Sequence, residues 1–367
     1  MKILFIPEPG KTETSERSYP LIKILEKRHE LLFLKPPGNP TQKRPSWPMR
    51  VFQRLQNIKQ LIEEGKKFKE ADLVLCRDYM HALPGSRIAK HLGIPCIWDS
   101  ERSMKLFWED HHQYPVQTLP WITVEKWLTK RVDHLVTVTE RNKQAHILQG
   151  MDPNHIDIIP VCVCFDRRSR KSKAEARKAL QLSADKKLFL FFSNFDYPPN
   201  QRALTFLNEK VAPRLPGELL LCGKGKLPKN LHGNIKYMGF LPLEKLYDLI
   251  RACDIGLSPV WEANGTLTKV LDMLAHGTAT VVTDIVQTGI PELQDNVHSC
   301  IAKNEEEFIQ KTLTLANDLL LQEKLRENGP HIIRSKYDWA LYEDKLLDIV
   351  GRFERKNEKA LGHTGCL

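Results

Sequence analysis

The chain of 367 residues lacks most of the short patterns that would fix its chemistry at sight. Its eight cysteines (76, 96, 162, 164, 222, 253, 300 and 366) contain no Cys-x-x-Cys pair, which removes the usual zinc spacing. Several sit in apolar, strand-like runs, the pattern of buried free thiols in a reducing compartment. Asp-x-Asp is missing, and His111-His112 has no evident metal partner, so neither a metal nor a cofactor is expected. Gly-x-Ser-x-Gly is missing too, which excludes the nucleophile elbow of α/β-hydrolases. Gly10-Lys11-Thr12 resembles the end of a P-loop. The glycine that loop needs five positions earlier is Phe5, inside an apolar run, so an NTPase is excluded. Gly10 reads instead as a turn that lets another ligand approach. No apolar run reaches membrane-spanning length. The opening run, broken at Pro7, is too short for a signal segment. These absences predict a soluble or at most peripheral cytoplasmic protein.

What is present is an ordinary globular composition, 41% apolar and 27% charged, with a formal charge of +10. The length suggests about two domains. The positive charge attracts polyanions without choosing among nucleic acid, anionic lipid and phosphorylated small molecules. Short Val/Ile/Leu-rich runs alternate with helical patterns. Strands are predicted at 3–6, 30–34, 72–76, 94–98, 134–138 and 156–160, with helices at 19–27, 84–92, 123–131 and 140–149. A polar, basic stretch at 166–173 reads as a linker. The alternation then restarts, with strands at 188–192, 219–222, 235–238, 255–258 and 280–283. Helices are predicted at 201–211, 243–252, 268–275, 305–318, 320–327 and 338–354, and the tail beyond 357 reads as frayed. Such alternation predicts two α/β units with parallel, doubly wound sheets.

Three segments carry candidate chemistry. After the strand at 255–258, residues 264–272 (Asn-Gly-Thr-Leu-Thr-Lys-Val-Leu-Asp) open a helix. Gly265 allows close backbone approach, and the free N–H groups of a helix start with its dipole make an anion site. Lys269 adds a charge one turn in, and Asp272, three residues on, shares its face. A lysine for a diphosphate beside a carboxylate for ribose hydroxyls is a coherent nucleotide site. A solvated lysine–aspartate pair is the plain alternative. Second, Gly223-Lys224-Gly225 follows a strand, where glycine-rich turns line ligand crevices. Third, Met49, Phe52, Leu55, Ile58 and Leu61 recur at helical spacing among Arg44, Arg50, Arg54 and Lys59. That is the pattern either of a sheet-covering helix with a basic face or of one that touches an anionic membrane weakly. Asp99, at a strand end, either faces a crevice or caps the next helix.

Together these segments resemble the retaining family 4 glycosyltransferases (glycosyl transferases group 1) of the GT-B fold, most densely from about 133 to 292. Residues 136–140, Gly150 and 156–160 look like that family's domain crossover. Residues 192–200, ending Pro198-Pro199-Asn200, look like the opening of its second domain. Residues 234–241 resemble the loop that meets the nucleotide base. Residues 265–283 resemble its "G-T-x-x-K-x-x-E-x-x-A-x-G-x-P-V-V-x-T" signature. The resemblance implies two Rossmann-like domains facing a central cleft. The acceptor domain would be 1–163, joined by a returning helix at 337–357 marked by Tyr337-Asp338-Trp339, and the donor domain 164–336. It implies metal-independent transfer from a UDP- or GDP-sugar to a glycan or lipid-linked acceptor, with retention of configuration. Ser193, Asn194, Gly223, Lys224, Gly239, Phe240, Gly265, Thr266, Leu267 and Asp272 would hold the donor. Lys269, Asn264 and Asp99 would serve catalysis, and Gly10 and Asp99 the acceptor side. Of the family's two glutamates eight positions apart, Asp272 replaces the second and Asn264 the first. A protein that binds nucleotide without turnover is one alternative. A basic nucleic-acid binder is another, although no nucleic-acid motif is present and none is expected as partner.

Overall fold

The structure, a computed structural model, describes residues 1–8, 17–36, 47–110, 115–262 and 265–362. Gly10, His111, His112 and Asn264 lie outside the described residues. The chain forms two compact units, one of residues 1–161 with 342–367 and one of residues 162–341.

The first unit runs β1 (Lys2–Ile6), α1 (Ser18–Leu25), β2 (Glu30–Phe33), α2 (Trp47–Gly65), β3 (Leu73–Arg77), α3 (Asp78–Leu92), β4 (Cys96–Ser100), α4 (Met104–Asp110), α5 (Pro115–Leu128), β5 (His134–Thr137), α6 (Glu140–Leu148) and β6 (Ile156–Ile158). All six strands are parallel, in the order β2-β1-β3-β4-β5-β6. β1, β3 and β4 are buried nearly throughout, which is why residues 3–6, 73–76 and 96–98 are continuously apolar rather than alternating. Each buried Leu, Ile or Phe contributes about 1.5–3 kcal/mol.

The second unit repeats the plan with α7 (Lys173–Ala179), β7 (Leu188–Asn194), α8 (Pro198–Phe206), β8 (Glu218–Lys224), β9 (Ile235–Tyr237), α9 (Leu243–Ala252), β10 (Ile255–Ser258), α10 (Thr268–Ala275), β11 (Ala279–Thr283), β12 (Cys300–Ala302), α11 (Glu305–Asn317) and α12 (Leu319–Lys336). Its sheet is parallel, in the order β12-β11-β10-β7-β8-β9. Phe189, Phe191, Leu219, Leu257, Val281 and Phe308 fill the core beneath it. The order turns at β7, flanked by β10 and β8, and the crevice of an open α/β sheet lies at the carboxyl ends of such strands. The last helix, α13 (Glu343–Gly362), belongs to the first unit. Glu343 pairs with Lys27 at 2.6 Å, Arg352 with Asp157 at 2.9 Å, and Glu354 with the N-terminal amine at 3.3 Å.

The differences from the sequence reading have local causes. α3 starts at Asp78, with Pro84 inside it, and α5 starts at Pro115, with Pro120 inside. Pro84 marks the expected start of the first and residue 123 that of the second, but a proline inside either helix only removes one internal hydrogen bond. α12 runs on through Gly329 and Pro330 to Lys336. A Cβ on Gly329 would sit 3.0 Å from the Leu274 carbonyl, so this glycine permits α12 to pack on α10. β12 has three residues, too few for a pattern. The helix at 173–179 carries a capping box, Ser172 with Glu175, within the span read as linker and just beyond it. α13 continues past Asn357 to Gly362. The seven described cysteines are free thiols, and all but Cys164 are buried.

Candidate functional site

The carboxyl edge of the second sheet gathers most of the sequence candidates. β7 and β8 pair in register, placing Ser193 beside Gly223 and Asn194 beside Lys224. The approach is close: a Cβ on Gly223 would meet the Ser193 carbonyl at 1.8 Å, and Gly223 has φ +144°. No other residue fits there. The Gly223 N–H donates to the Gly239 carbonyl at 2.9 Å, and the Tyr237 hydroxyl donates to the Gly223 carbonyl at 2.7 Å. Gly239 therefore sits next to the β8 end, with φ +72°. Phe240 beside it is 70% exposed, its ring 5.9 Å from the Lys224 ammonium.

From β10 the chain reaches Gly265 (φ +89°), Thr266 and Leu267, and Leu267 is the N-cap of α10. Thr266 Oγ1 donates to the Gly289 carbonyl at 3.3 Å. A Cβ on Gly289 would lie 2.5 Å from the Thr266 Cα, so Gly289 is the wall against which this turn is seated.

Lys269, the second residue of α10, reaches across to β7 and α8. Its Nζ donates to Ser193 Oγ and Asn200 Oδ1, each at 2.9 Å, and lies 4.8 Å from the centre of the Phe191 ring. Asn200 in turn donates to the Asn194 carbonyl at 3.0 Å. No carboxylate pairs with Lys269 among the described residues. Burial therefore goes uncompensated and pulls its pKa down to about 7. An ammonium held by neutral oxygens beside a helix N-terminus and glycine amides is a place built to receive an anion. Asp272 is only 6% exposed. Its carbonyl accepts from both the backbone N–H and the ring Nδ1 of His276, at 3.1 and 2.7 Å. The sequence reading missed the parts played by Asn200 and Gly289. Asn200 had a signal, the Pro-Pro-Asn run; Gly289 had none.

The corresponding edge of the first unit carries Asp99. The β3–β4 register places it beside Arg77. It is 2% exposed and bound by two arginines. Arg17 Nε lies 3.0 Å from each carboxylate oxygen, and Arg77 closes on Oδ2. Arg17 also donates to the Ile159 and Pro160 carbonyls, and Arg77 to Glu8 and Glu101. Burial alone would raise the Asp99 pKa, but the two guanidinium groups overrule it and hold it below the ordinary range. Asp99 thus organises a buried ion network, with both of its oxygens engaged. Asp78, next along from Arg77, has φ +66°, rare outside glycine. Burial, opposed by Arg102, pushes its carboxyl up to about 6. Among the described residues no cluster of His, Cys, Asp and Glu could hold a metal ion.

Residues 186–318 match the family described as "Glycosyl transferases group 1", and residues 7–167 match "Glycosyltransferase Family 4". Among solved structures the chain is similar to a sucrose-phosphate synthase from Thermosynechococcus elongatus, with a TM-score of 0.78, 13% identity, and coverage of 98% of this chain and 100% of that one. It is similar to HepE of Anabaena in complex with UDP and glucose, with a TM-score of 0.74, 13% identity, and coverage of 96% and 100%. It is also similar to a glycosyltransferase from Rickettsia africae, with a TM-score of 0.69, 16% identity, and coverage of 96% and 98%. These likenesses show the fold: two parallel α/β units of the GT-B type. No curated protein matches the chain in sequence.

Proposed function

Because the chain belongs to the group 1 glycosyltransferases, we propose that it transfers a sugar from a UDP- or GDP-sugar to a glycan or lipid-linked acceptor, with retention and without a metal. The observation that carries this reading is Lys269, poised without a counter-ion over Ser193 and Asn200 beside Gly265 and Thr266. The second unit takes the donor. The amides from Gly265 to Leu267 and the Lys269 ammonium meet the diphosphate, and the turns at Gly223–Lys224 and Gly239–Phe240 meet the nucleoside. Asp272 is assigned to the ribose and Asn264 to the sugar end of the site. The first unit takes the acceptor, with Gly10 near it. Asp99 serves there by fixing Arg17 and Arg77. In the step itself the bond from the sugar's anomeric carbon to the diphosphate breaks, and a bond to the acceptor oxygen forms on the same face. The acceptor's proton passes to the departing diphosphate, whose growing charge Lys269 stabilises.

HepE, of like fold, is complexed with UDP and glucose, which supports a nucleotide-sugar donor. Among the described residues no helix is long and apolar enough to cross a membrane. Phe52 and Leu55 of α2 and Leu119 of α5 are exposed, and Arg54 stacks over Trp121 between the two helices. That basic, apolar surface supports weak contact with an anionic membrane, as expected of a cytoplasmic enzyme working on a lipid-linked acceptor. The test is release of UDP or GDP from a panel of their sugars, with and without EDTA. Release that survives EDTA is expected, with a product that keeps the donor's anomeric configuration. Loss restored by magnesium or manganese overturns the metal-free step. Nucleotide binding with no turnover on any sugar favours the degenerate alternative raised by Asn264.

A further inference from the structure

The second unit has another built site, at the opposite edge of its sheet from Ser193 and Lys269. The segment between β6 and α7, the carboxyl end of α10 and the face of α12 enclose a cavity of about 730 Å³. That lies within the range of small-molecule sites. Cys253, which precedes β10, and Ala275, at the end of α10, are in its wall and fix its place at the amino edge.

Its charge is one-sided. Arg168, Arg170, Lys173, Arg251, Arg326 and Arg334 line it, against Asp166, Glu323 and Glu327. Some of that charge is spent internally. Lys173 pairs with Asp254, Arg326 lies 3.6 Å from Asp254 and 3.7 Å from Glu323, and Arg251 donates to the Lys171 and His276 carbonyls. Arg170 and Arg334 have no ion-pair partner among the described residues. Phe165 packs between the guanidinium groups of Arg168 and Arg334, at 3.8 and 4.4 Å. Stacking through its flat face holds Arg334 while its in-plane N–H groups stay available to the cavity.

The second feature is His276, 4% exposed and part of the cavity wall. Its Nδ1 lies 2.7 Å from the Asp272 carbonyl, which can only accept, so Nδ1 carries the hydrogen. Burial, followed by the charge of Arg168, pushes the ring's pKa down to about 3, so the ring is neutral. Its Nε2 is then an acceptor, and it is buried with no hydrogen-bond partner. Such a group is costly to leave unmet. Anion-binding guanidinium groups beside an acceptor that needs a donor describe a ligand with both a phosphate and a hydroxyl.

We propose that this cavity binds a hydroxyl-bearing phosphate monoester, its phosphate against Arg170 and Arg334 and a hydroxyl donating to His276 Nε2. His276 is bonded twice to the Asp272 carbonyl, one turn from Lys269, so α10 joins this site to the donor site. That coupling rests on the donor site proposed above.

Titration calorimetry with ribose 5-phosphate and with inorganic phosphate tests the proposal on the full chain, on Arg170→Ala/Arg334→Ala and on Lys269→Ala. Arg170 and Arg334 are exposed, so the double variant keeps its fold. Ribose 5-phosphate is expected to bind the wild type and Lys269→Ala alike. The arginine double variant should bind it about tenfold or more weakly, the scale of lost charge-assisted contacts. No binding, or equal binding to the double variant, overturns the site. Loss in Lys269→Ala alone places the anion in the donor site and overturns it as well. Inorganic phosphate binding as tightly as ribose 5-phosphate overturns the role of His276. UDP affinity measured at saturating ribose 5-phosphate should change; no change overturns the coupling and leaves the site standing. If UDP binds nowhere, the donor reading fails, while the ribose 5-phosphate titrations still decide this one.

Discussion

At Lys269 the ammonium has two neutral oxygens and an aromatic face around it, and burial lowers its pKa from 10.5 to about 7. A bound diphosphate supplies the missing negative charge and raises that pKa again. Between about pH 7 and 10.5 the complex therefore holds more protons than the free enzyme. By linkage, UDP binding should take up a proton in that window and weaken as pH rises. Calorimetry at pH 8 in two buffers of different ionisation enthalpy reads the uptake directly; identical heats would refute it. Lys269→Ala should lower turnover about 100- to 1000-fold, roughly 2.7–4 kcal/mol, the usual loss for a preorganised stabiliser of developing charge. Asp272→Ala should mainly weaken donor binding, since ribose hydroxyls change little during transfer. Near-normal turnover in Lys269→Ala with a verified donor would sink the assignment. Lys269 was legible because its local setting is contiguous in the sequence: a glycine turn and the free amides of a helix start come just before it. Asn200 was not legible in its present role, since its partner lies 69 residues away and only the folded chain brings the two together.

Element boundaries were legible where pattern and burial agree, as for β10, α9 and α10, which run as expected. They were lost where a residue with two uses was read for one. Pro84 marks a helix start in many chains and begins the expected helix, yet here it sits inside α3. Gly289 shows the same limit within the site. A glycine after β11 reads as a turn, while its real constraint is the Thr266 backbone passing 2.5 Å from where a Cβ would stand. Gly289→Ala should push the 265–267 turn aside. Because misplacement of about 1 Å can cost 100-fold, kcat/KM should fall about 10- to 100-fold. Gly233, where an added methyl would find nothing within 4 Å, is the control, and Gly233→Ala should leave kcat/KM alone. Equal kinetics for the two variants would show that the turn is not seated on Gly289.

For the whole molecule, net charge +10 and the exposed Phe52 and Leu55 predict sedimentation with anionic vesicles that fades with salt. Phe52→Ser/Leu55→Ser should reduce it; equal sedimentation with neutral and anionic vesicles at low salt would end the membrane reading. The two-unit plan itself was readable from the restarted strand–helix alternation, whereas the ion pairs that tie α13 down join residues hundreds of positions apart and leave no local pattern. Those ties have a consequence during synthesis. The ribosome makes the strands of the first unit early and its closing helix last, after the roughly 180 residues of the second unit. At about 5–20 residues per second that is a wait of roughly 10–40 s. Throughout it, the surface that Leu346, Ile349, Val350 and Phe353 will cover stays open on a nascent chain whose second half is already collapsing.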